Sequence, residues 1–440
     1  MREKVSNIFK LILPILLVGA LQGWINTNML LVVFVLYLMF LTRDGVSIAS
    51  VFILAPVLGL LKGLFNIPLP GSVMAFLLIL VLQRENISHF VVKTDRPALF
   101  YVMLIIFILT GFYFIAGYSE NGQDKFGSML ISSVVYITGL LILTKSTKET
   151  VDMLSPLFLL YGIILLRFPL DFYGYPSPDG LFDFTFFRDA TIANKQLELP
   201  YLTYHLVGIA GVMSTAYFLS GRDSIGGIQN YVLLLTCFWL ILLSGTRQSI
   251  VGFIIVFACW QMLKGGEIKI LNLLGVVLFV YLAYMLLEML DVEYIQKMFD
   301  TSSDAEERLN RNYDYPLQVI EDYPFTGIGF GHYFNPMTYE IYPHNIILEI
   351  LCELGAFGMV VLLIPTLVMA IAMRVSFSTQ LQNGYKVLLL WIPYVVRSLI
   401  SGDLGENIVV FISFAIFFFN PPSLEVEDLD EDGDDVICNV

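Results

Sequence analysis

The chain has 440 residues, of which 57% are hydrophobic and only 14% are charged, whereas soluble domains carry about 25% charged residues. Its net charge of −14 at pH 7 comes largely from residues 425–435, which hold eight acidic residues and no basic one. This composition excludes an ordinary soluble enzyme and predicts an all-α polytopic membrane protein, because spanning segments must satisfy their backbone hydrogen bonds internally.

Apolar runs of the length that an α-helix needs to cross about 30 Å of hydrocarbon recur along the chain. About 14 transmembrane helices are predicted, or 12 if the second and third form a re-entrant pair instead: 9–24, 29–42, 46–61, 71–83, 98–117, 127–144, 151–167, 201–219, 229–244, 248–263, 269–290, 345–373, 386–401 and 406–420. Lys and Arg are concentrated in alternate short connections, which predicts that both termini are cytoplasmic.

This topology divides the chain into an N-terminal transmembrane bundle, an outer loop, further helices, a large helical and irregular periplasmic loop, C-terminal helices and a disordered acidic cytoplasmic tail. The corresponding ranges are 1–167, 168–200, 201–290, 291–343, 344–420 and 421–440. The four cysteines are scattered, which indicates neither a disulfide framework nor a metal cluster. No Gly-x-x-x-x-Gly-Lys-Ser/Thr phosphate loop is present, so we expect no nucleotide hydrolysis by this chain.

The outer loop 168–200 is rich in aromatic residues. Tyr173 and Tyr175 offer rings that stack on sugars, while Asp183 and Arg188 offer polar groups for hydroxyls, so these four are candidates for binding an acceptor glycan. An interfacial aromatic belt explains the same aromatic residues equally well.

Arg247 lies in Ser244-Gly245-Thr246-Arg247-Gln248, a short break between two apolar helices. Gly245 permits a tight turn, and an anion there would meet both a guanidinium and a helix N-terminus. The alternative is an interfacial arginine whose stem lies along the apolar surface.

Arg308 and Arg311 are three residues apart, which places them on one face of a helix. One guanidinium group can donate to two phosphate oxygens at once, so Arg308 and Arg311 are candidates for binding a diphosphate. Local pairing with nearby acidic residues is the alternative.

His344 follows Pro343 where the large loop meets an apolar helix, and we expect it to start that helix. An imidazole titrates near neutral pH and can take a proton from a sugar hydroxyl. A structural role is the alternative, and His332 and His205 compete for the role of base.

Residues 323–331, Tyr-Pro-Phe-Thr-Gly-Ile-Gly-Phe-Gly, predict a tight loop. The order Gly245-Thr246-Arg247, Arg308, this loop, and Pro343-His344-Asn345 followed by Glu349 and Glu353-Leu354-Gly355 resembles the O-antigen ligase and polymerase superfamily. These are bacterial membrane glycosyltransferases of the GT-C type, and the similarity covers about residues 240–375.

The resemblance implies a metal-independent inverting glycosyltransferase without a cofactor, in the bacterial cytoplasmic membrane with its site on the outer face. His344 would be the base, and Arg247 and Arg308 would bind the diphosphate of an undecaprenyl-linked oligosaccharide donor. Besides this donor, the glycan acceptor and membrane lipids, a chain-length regulator and a flippase are candidate partners, and no nucleic acid is expected. Where the family often has Ser-Arg-Gly, this chain has Thr246-Arg247-Gln248.

The number of spans favours a polymerase for O-antigen, capsule or exopolysaccharide, which joins one lipid-linked repeat unit to another. A ligase, which transfers the glycan to lipid A core or a protein, is the alternative. A polysaccharide flippase is a further alternative, although charge within the predicted spans is sparse.

Overall fold

A computed structural model describes residues 2–41, 96–144, 148–172, 204–220, 225–263, 313–336, 339–377, 381–399 and 403–419. Their regular elements are all helices: α1 (Arg2–Leu21), α2 (Thr27–Leu41), α3 (Arg96–Ala116), α4 (Glu120–Thr144), α5 (Lys148–Phe172), α6 (Tyr204–Ser220), α7 (Ile228–Ser244), α8 (Arg247–Leu263), α9 (Tyr315–Asp322), α10 (Ile346–Phe377), α11 (Leu381–Ser398), α12 (Leu404–Asn407) and α13 (Val409–Phe419). The all-helical prediction is therefore confirmed for this part of the chain.

Three described segments are long and apolar enough to cross a membrane: Lys4–Leu21, Arg96–Ala116 and Ile346–Val368. Shorter apolar helices accompany them at Thr27–Tyr37, Leu206–Ser220, Ile228–Ser244, Gln248–Gln261 and Leu404–Ile416. These helices agree with a membrane protein, while the number of spans and their orientation stay predictions. The predicted spans 46–61, 71–83 and 269–290 lie outside the described residues.

Helix α6 is the centre of one group of helices and packs against α5, α7, α8 and α11. Residues 210–220 are all buried. A Cβ added to Gly162 of α5 or Gly211 of α6 would overlap side chains of α7, so these glycines allow the helices to approach closely. Small residues at helix interfaces increase the packing contacts that hold helices together in lipid.

An ion pair from Lys10 and a hydrogen bond from Arg167 link α1 to α5. Lys10 Nζ lies 2.7 Å from an oxygen of Asp152. Arg167 pairs with Asp171 at 2.6 Å and donates to the carbonyl of Ala20 at 3.0 Å. Charged residues within these apolar helices therefore have partners on neighbouring elements or turns.

A second group contains α3, α4, α10, α12 and α13, and α11 contacts both groups.

Three differences from the predicted elements affect the site. Helix α4 begins at Glu120 rather than near 127, so Lys125 lies inside a helix instead of a connection. Helix α5 continues to Phe172, into the predicted outer loop. The predicted single span 345–373 is broken at Gly355.

Candidate active site

The site is built around the break in α10. Gly355 has φ of 67° and ψ of −171°, which interrupts the helical hydrogen bonding. The loop 324–331 supplies the missing partners through four backbone hydrogen bonds: Ile328 N to Cys352 O and Gly329 N to Glu353 O at 2.9 Å, Ala356 N to Pro324 O at 2.8 Å, and Phe357 N to Phe325 O at 3.0 Å. Buried backbone groups need such partners, so the loop and the broken helix form one unit.

The three glycines of this loop confirm the predicted tight turn. Gly327, Gly329 and Gly331 have φ of 63°, 105° and 72°, a region that side chains with a Cβ disfavour. A Cβ at Gly327 would also overlap the backbone of Glu353. Glycine is therefore required both by the backbone angle and by the close approach to α10.

A buried ion cluster lies beneath the loop. Lys125 Nζ of α4 is 2.6 Å from Glu349 Oε1 and 2.5 Å from Glu353 Oε1, and each of the three side chains is at most 2% exposed. Glu353 Oε2 accepts a hydrogen bond from Gly331 N at 2.8 Å. Because residues four apart share a helix face, α10 presents both carboxylates to the same lysine. The cluster joins α4, α10 and the loop.

Asp403 adds a further carboxylate near this cluster. It caps α12, accepting a hydrogen bond from Glu406 N at 2.9 Å. Burial raises the pKa of the Asp403 carboxyl above its usual range, although attraction to Lys125 opposes this shift. A Cβ at Gly405 would overlap the carbonyl of Lys125, so α12 packs directly on α4.

His344 lies two residues before α10, which corrects the expectation that it starts the helix. Asn345 caps the helix instead, and its Oδ1 accepts hydrogen bonds from the amides of Ile347 at 2.9 Å and Leu348 at 3.3 Å. His344 has φ of 54°, which costs a residue with a Cβ about 1–2 kcal/mol. Such strain is common where a side chain is held for a functional purpose.

A carboxylate faces the imidazole of His344. Glu340 Oε1 is 3.5 Å from His344 Nε2, and the two side chains are 17% and 35% exposed. Unlike the cluster at Lys125, this pair is partly exposed to solvent. A carboxylate beside a histidine orients the ring and stabilises the imidazolium form.

Tyr342 contacts the His344 ring and is influenced by nearby acidic residues. Its ring packs edge-on against the imidazole, with 4.5 Å between centroids. Burial raises the pKa of Tyr342 to about 12, and the carboxylates of Glu406, Asp403 and other acidic residues add to this shift. The Tyr342 hydroxyl is therefore protonated at neutral pH and is a hydrogen-bond donor.

The predicted turn before Arg247 is also present. Gly245 has φ of 66° and ends α7, with its amide 3.0 Å from the carbonyl of Leu242. Helix α8 begins at Arg247. Only the backbone of Arg247 is described, so its side chain stays a predicted ligand.

The other predicted site residues fall outside the described residues: Arg308, Arg311, Tyr173, Tyr175, Asp183 and Arg188. Of the competing histidines, His332 lies in the loop next to Gly331, with Nδ1 3.1 Å from the carbonyl of Phe330. His205 is in α6, and its side chain is not described. The carboxylate at 3.5 Å distinguishes His344 as the better candidate base.

Sequence reasoning missed several charged residues of the site. The predicted spans 98–117 and 127–144 place Lys125 in a short connection, and Glu349 and Glu353 enter only through the resemblance to the family. The sequence pattern predicts no role for Glu340, Asp403 or Glu406. An ionisable residue in or beside an apolar helix is itself a signal of function or pairing, and that signal would have found Lys125, Glu349 and Glu353.

These features define a helical membrane protein whose candidate site is assembled where two helices begin or break. Residues 232–363 match the family model described as O-Antigen ligase, and this match confirms the resemblance to the O-antigen ligase and polymerase superfamily. The matched range contains the Gly245 turn, the glycine loop and His344, whereas Lys125 and Asp403 lie outside it. None of the curated proteins matches the chain.

Proposed function

We propose that the protein is a polymerase of a bacterial cell-surface polysaccharide. It transfers a glycan from undecaprenyl diphosphate to the end of another lipid-linked repeat unit, on the outer face of the cytoplasmic membrane. The observation that supports this most strongly is the His344–Glu340 pair, with 3.5 Å between Nε2 and Oε1, inside the segment that matches the O-Antigen ligase family.

His344 is the proposed general base. If Nε2 carries the proton that faces Glu340, Nδ1 is the basic nitrogen and accepts the proton of the acceptor hydroxyl. The acceptor oxygen then bonds to the anomeric carbon, while the bond from this carbon to the diphosphate breaks and its electron pair leaves with undecaprenyl diphosphate. Direct displacement inverts the configuration at this carbon, and no step of the proposal requires a metal ion.

Arginines stabilise the leaving group in this proposal. Arg247 is supported by its place at the start of α8, where backbone amides and the helix dipole also favour an anion. Arg308 and Arg311 are proposed as further ligands of the diphosphate. Positive groups placed where negative charge develops are worth several kcal/mol in many enzymes. Tyr173, Tyr175, Asp183 and Arg188 are proposed to contact the acceptor.

The test uses purified full-length protein in detergent with an undecaprenyl-diphosphate-linked repeat unit. The parent protein is expected to produce a ladder of glycans, and His344→Ala and Arg247→Ala are expected to lose it. An unchanged ladder in both variants contradicts the assigned residues, and no ladder from the folded parent contradicts the polymerase.

The ligase reaction is the second candidate, because the matching family model carries that description. Supplying lipid A core as the acceptor in the same assay separates the two reactions. A product formed only on the core, with no ladder on the lipid-linked unit, would identify a ligase.

A further inference from the structure

A half-buried arginine lies at the end of α11, outside the matched segment. Arg397 is in the last turn of this helix, and its Nη2 donates to Glu406 Oε2 at 3.1 Å. The side chains are 21% and 49% exposed. Because the Glu406 side chain is half exposed, its carboxylate can return to solvent when another anion takes its place on the guanidinium.

Arg397 lies near the start of the helix that carries Arg247. Gly252 of α8 faces Val396 of α11, since a Cβ there would be 3.2 Å from Val396 Cγ1. Arg247 precedes Gly252 by five residues, which is about 7.5 Å along a helix axis. The backbone of Arg247 is therefore within about two helical turns of the point where α8 meets the end of α11.

The same ion pair lies on helices that contact both proposed parts of the site. Glu406 belongs to α12, which packs against α10, and α10 begins two residues after His344. Arg397 belongs to α11, which packs against α8 and also contacts α12.

Two tyrosines lie on helices next to the last turns of α11. The ring of Tyr136 in α4 packs edge-on against Tyr394, which is three residues before Arg397. The Tyr161 hydroxyl of α5 is buried and has no hydrogen-bond partner in the described part of the chain. A buried hydroxyl without a partner is unusual.

We propose that Arg397 binds the diphosphate of the lipid-linked donor and that Glu406 occupies the guanidinium until the donor arrives. A guanidinium binds phosphate oxygens in pairs, and phosphate carries more charge than the carboxylate that it replaces. This inference rests on the proposed function and adds one ligand, from a different helix, to the arginines already assigned.

The test measures binding of undecaprenyl diphosphate, without sugar, to the full-length protein in detergent. Arg397→Ala is expected to weaken binding about 10- to 100-fold, as loss of a hydrogen-bonded charge does. Glu406→Gln removes the competing carboxylate and is expected to bind about two- to fivefold more tightly. Arg167→Ala is the matched control, because Arg167 also pairs with a carboxylate at 2.6 Å but belongs to the contact between α1 and α5.

Parent-like affinity in Arg397→Ala would overturn the inference and leave the proposed polymerase standing. If Arg397→Ala does not fold, Glu406→Gln decides, since its side chain is half exposed; unchanged or weaker binding in that variant overturns the inference. A folded parent that neither binds undecaprenyl diphosphate nor forms a glycan ladder contradicts the proposed function itself.

Discussion

The cluster at Lys125 and the pair at His344 use similar residue types but differ in their access to solvent. Lys125, Glu349 and Glu353 are fully buried and join three segments of the chain. His344 and Glu340 are partly exposed, in a backbone conformation that costs energy. We infer from this difference that the Lys125 cluster serves stability, whereas the partly exposed His344–Glu340 pair is the one that the proposed reaction uses, although only one residue separates His344 from the start of α10.

The largest effect is expected from Lys125→Met, which leaves two buried carboxylates without a counter-ion. Breaking a buried ion pair costs about 3–5 kcal/mol, so the free energy of unfolding, measured with denaturant in detergent, should fall by that amount. Lys4→Met, at an exposed position of α1, is the control and should change little. Parent-like stability of Lys125→Met would show that burial does not make the cluster structural.

His344→Gly distinguishes loss of the proposed base from relief of backbone strain at the His344–Glu340 pair. Glycine adopts the positive φ of 54° without strain. This relief of backbone strain offsets the greater conformational entropy that glycine gives to the unfolded chain. Stability should therefore stay within about 1 kcal/mol of the parent, while glycan formation falls about 100-fold or more with loss of the base. His332→Ala is the control for activity. Destabilisation as large as that of Lys125→Met would abolish the contrast between the two regions.

Glu340→Gln tests whether the exposed pair acts as a unit. The amide keeps the shape but cannot stabilise a charged imidazolium, so the rate of glycan formation should fall about 10- to 100-fold. Because Glu340 is proposed to act through His344, the variant should leave affinity for undecaprenyl diphosphate unchanged. Weakened affinity with an unchanged rate would place Glu340 in the donor site instead.

The smallest effect is expected from Asn345→Ala, which removes the cap of α10 between the two regions. Losing two side-chain hydrogen bonds at a helix N-terminus typically costs about 1 kcal/mol. Denaturant unfolding measures this loss, and Asn345→Asp, which keeps the capping oxygen, should retain the parent's stability. Equal losses in both variants would contradict the capping role.

Local chemistry made part of the site predictable from the sequence. The turn at Gly245 and the loop ending at Gly331 follow from the backbone angles that glycine permits, and both are present. His344 was recognisable because it stands between a polar segment and an apolar run. These features depend on residues within a few positions of one another.

Tertiary contacts made the rest unpredictable from one sequence. Lys125 and Glu349 are 224 residues apart, and no helical or turn pattern connects them. Arg397 and Glu406 are close in sequence and flank the connection between the predicted spans 386–401 and 406–420, but residue spacing alone does not show that their side chains pair. The break of α10 at Gly355 is not predictable either, because glycine is also common within unbroken apolar helices.

The break at Gly355 also constrains how the protein reaches its mature state in a bilayer. Backbone groups without partners cost several kcal/mol each in hydrocarbon, and the carbonyls of Cys352 and Glu353 obtain theirs from a segment that is synthesised earlier. The segment Ile346–Val368 must therefore either enter lipid as an unbroken helix that opens when residues 324–331 dock, or enter with that loop already in place. In the first case the loop and the broken helix come together only after insertion, whereas in the second they are already joined when the segment enters the bilayer.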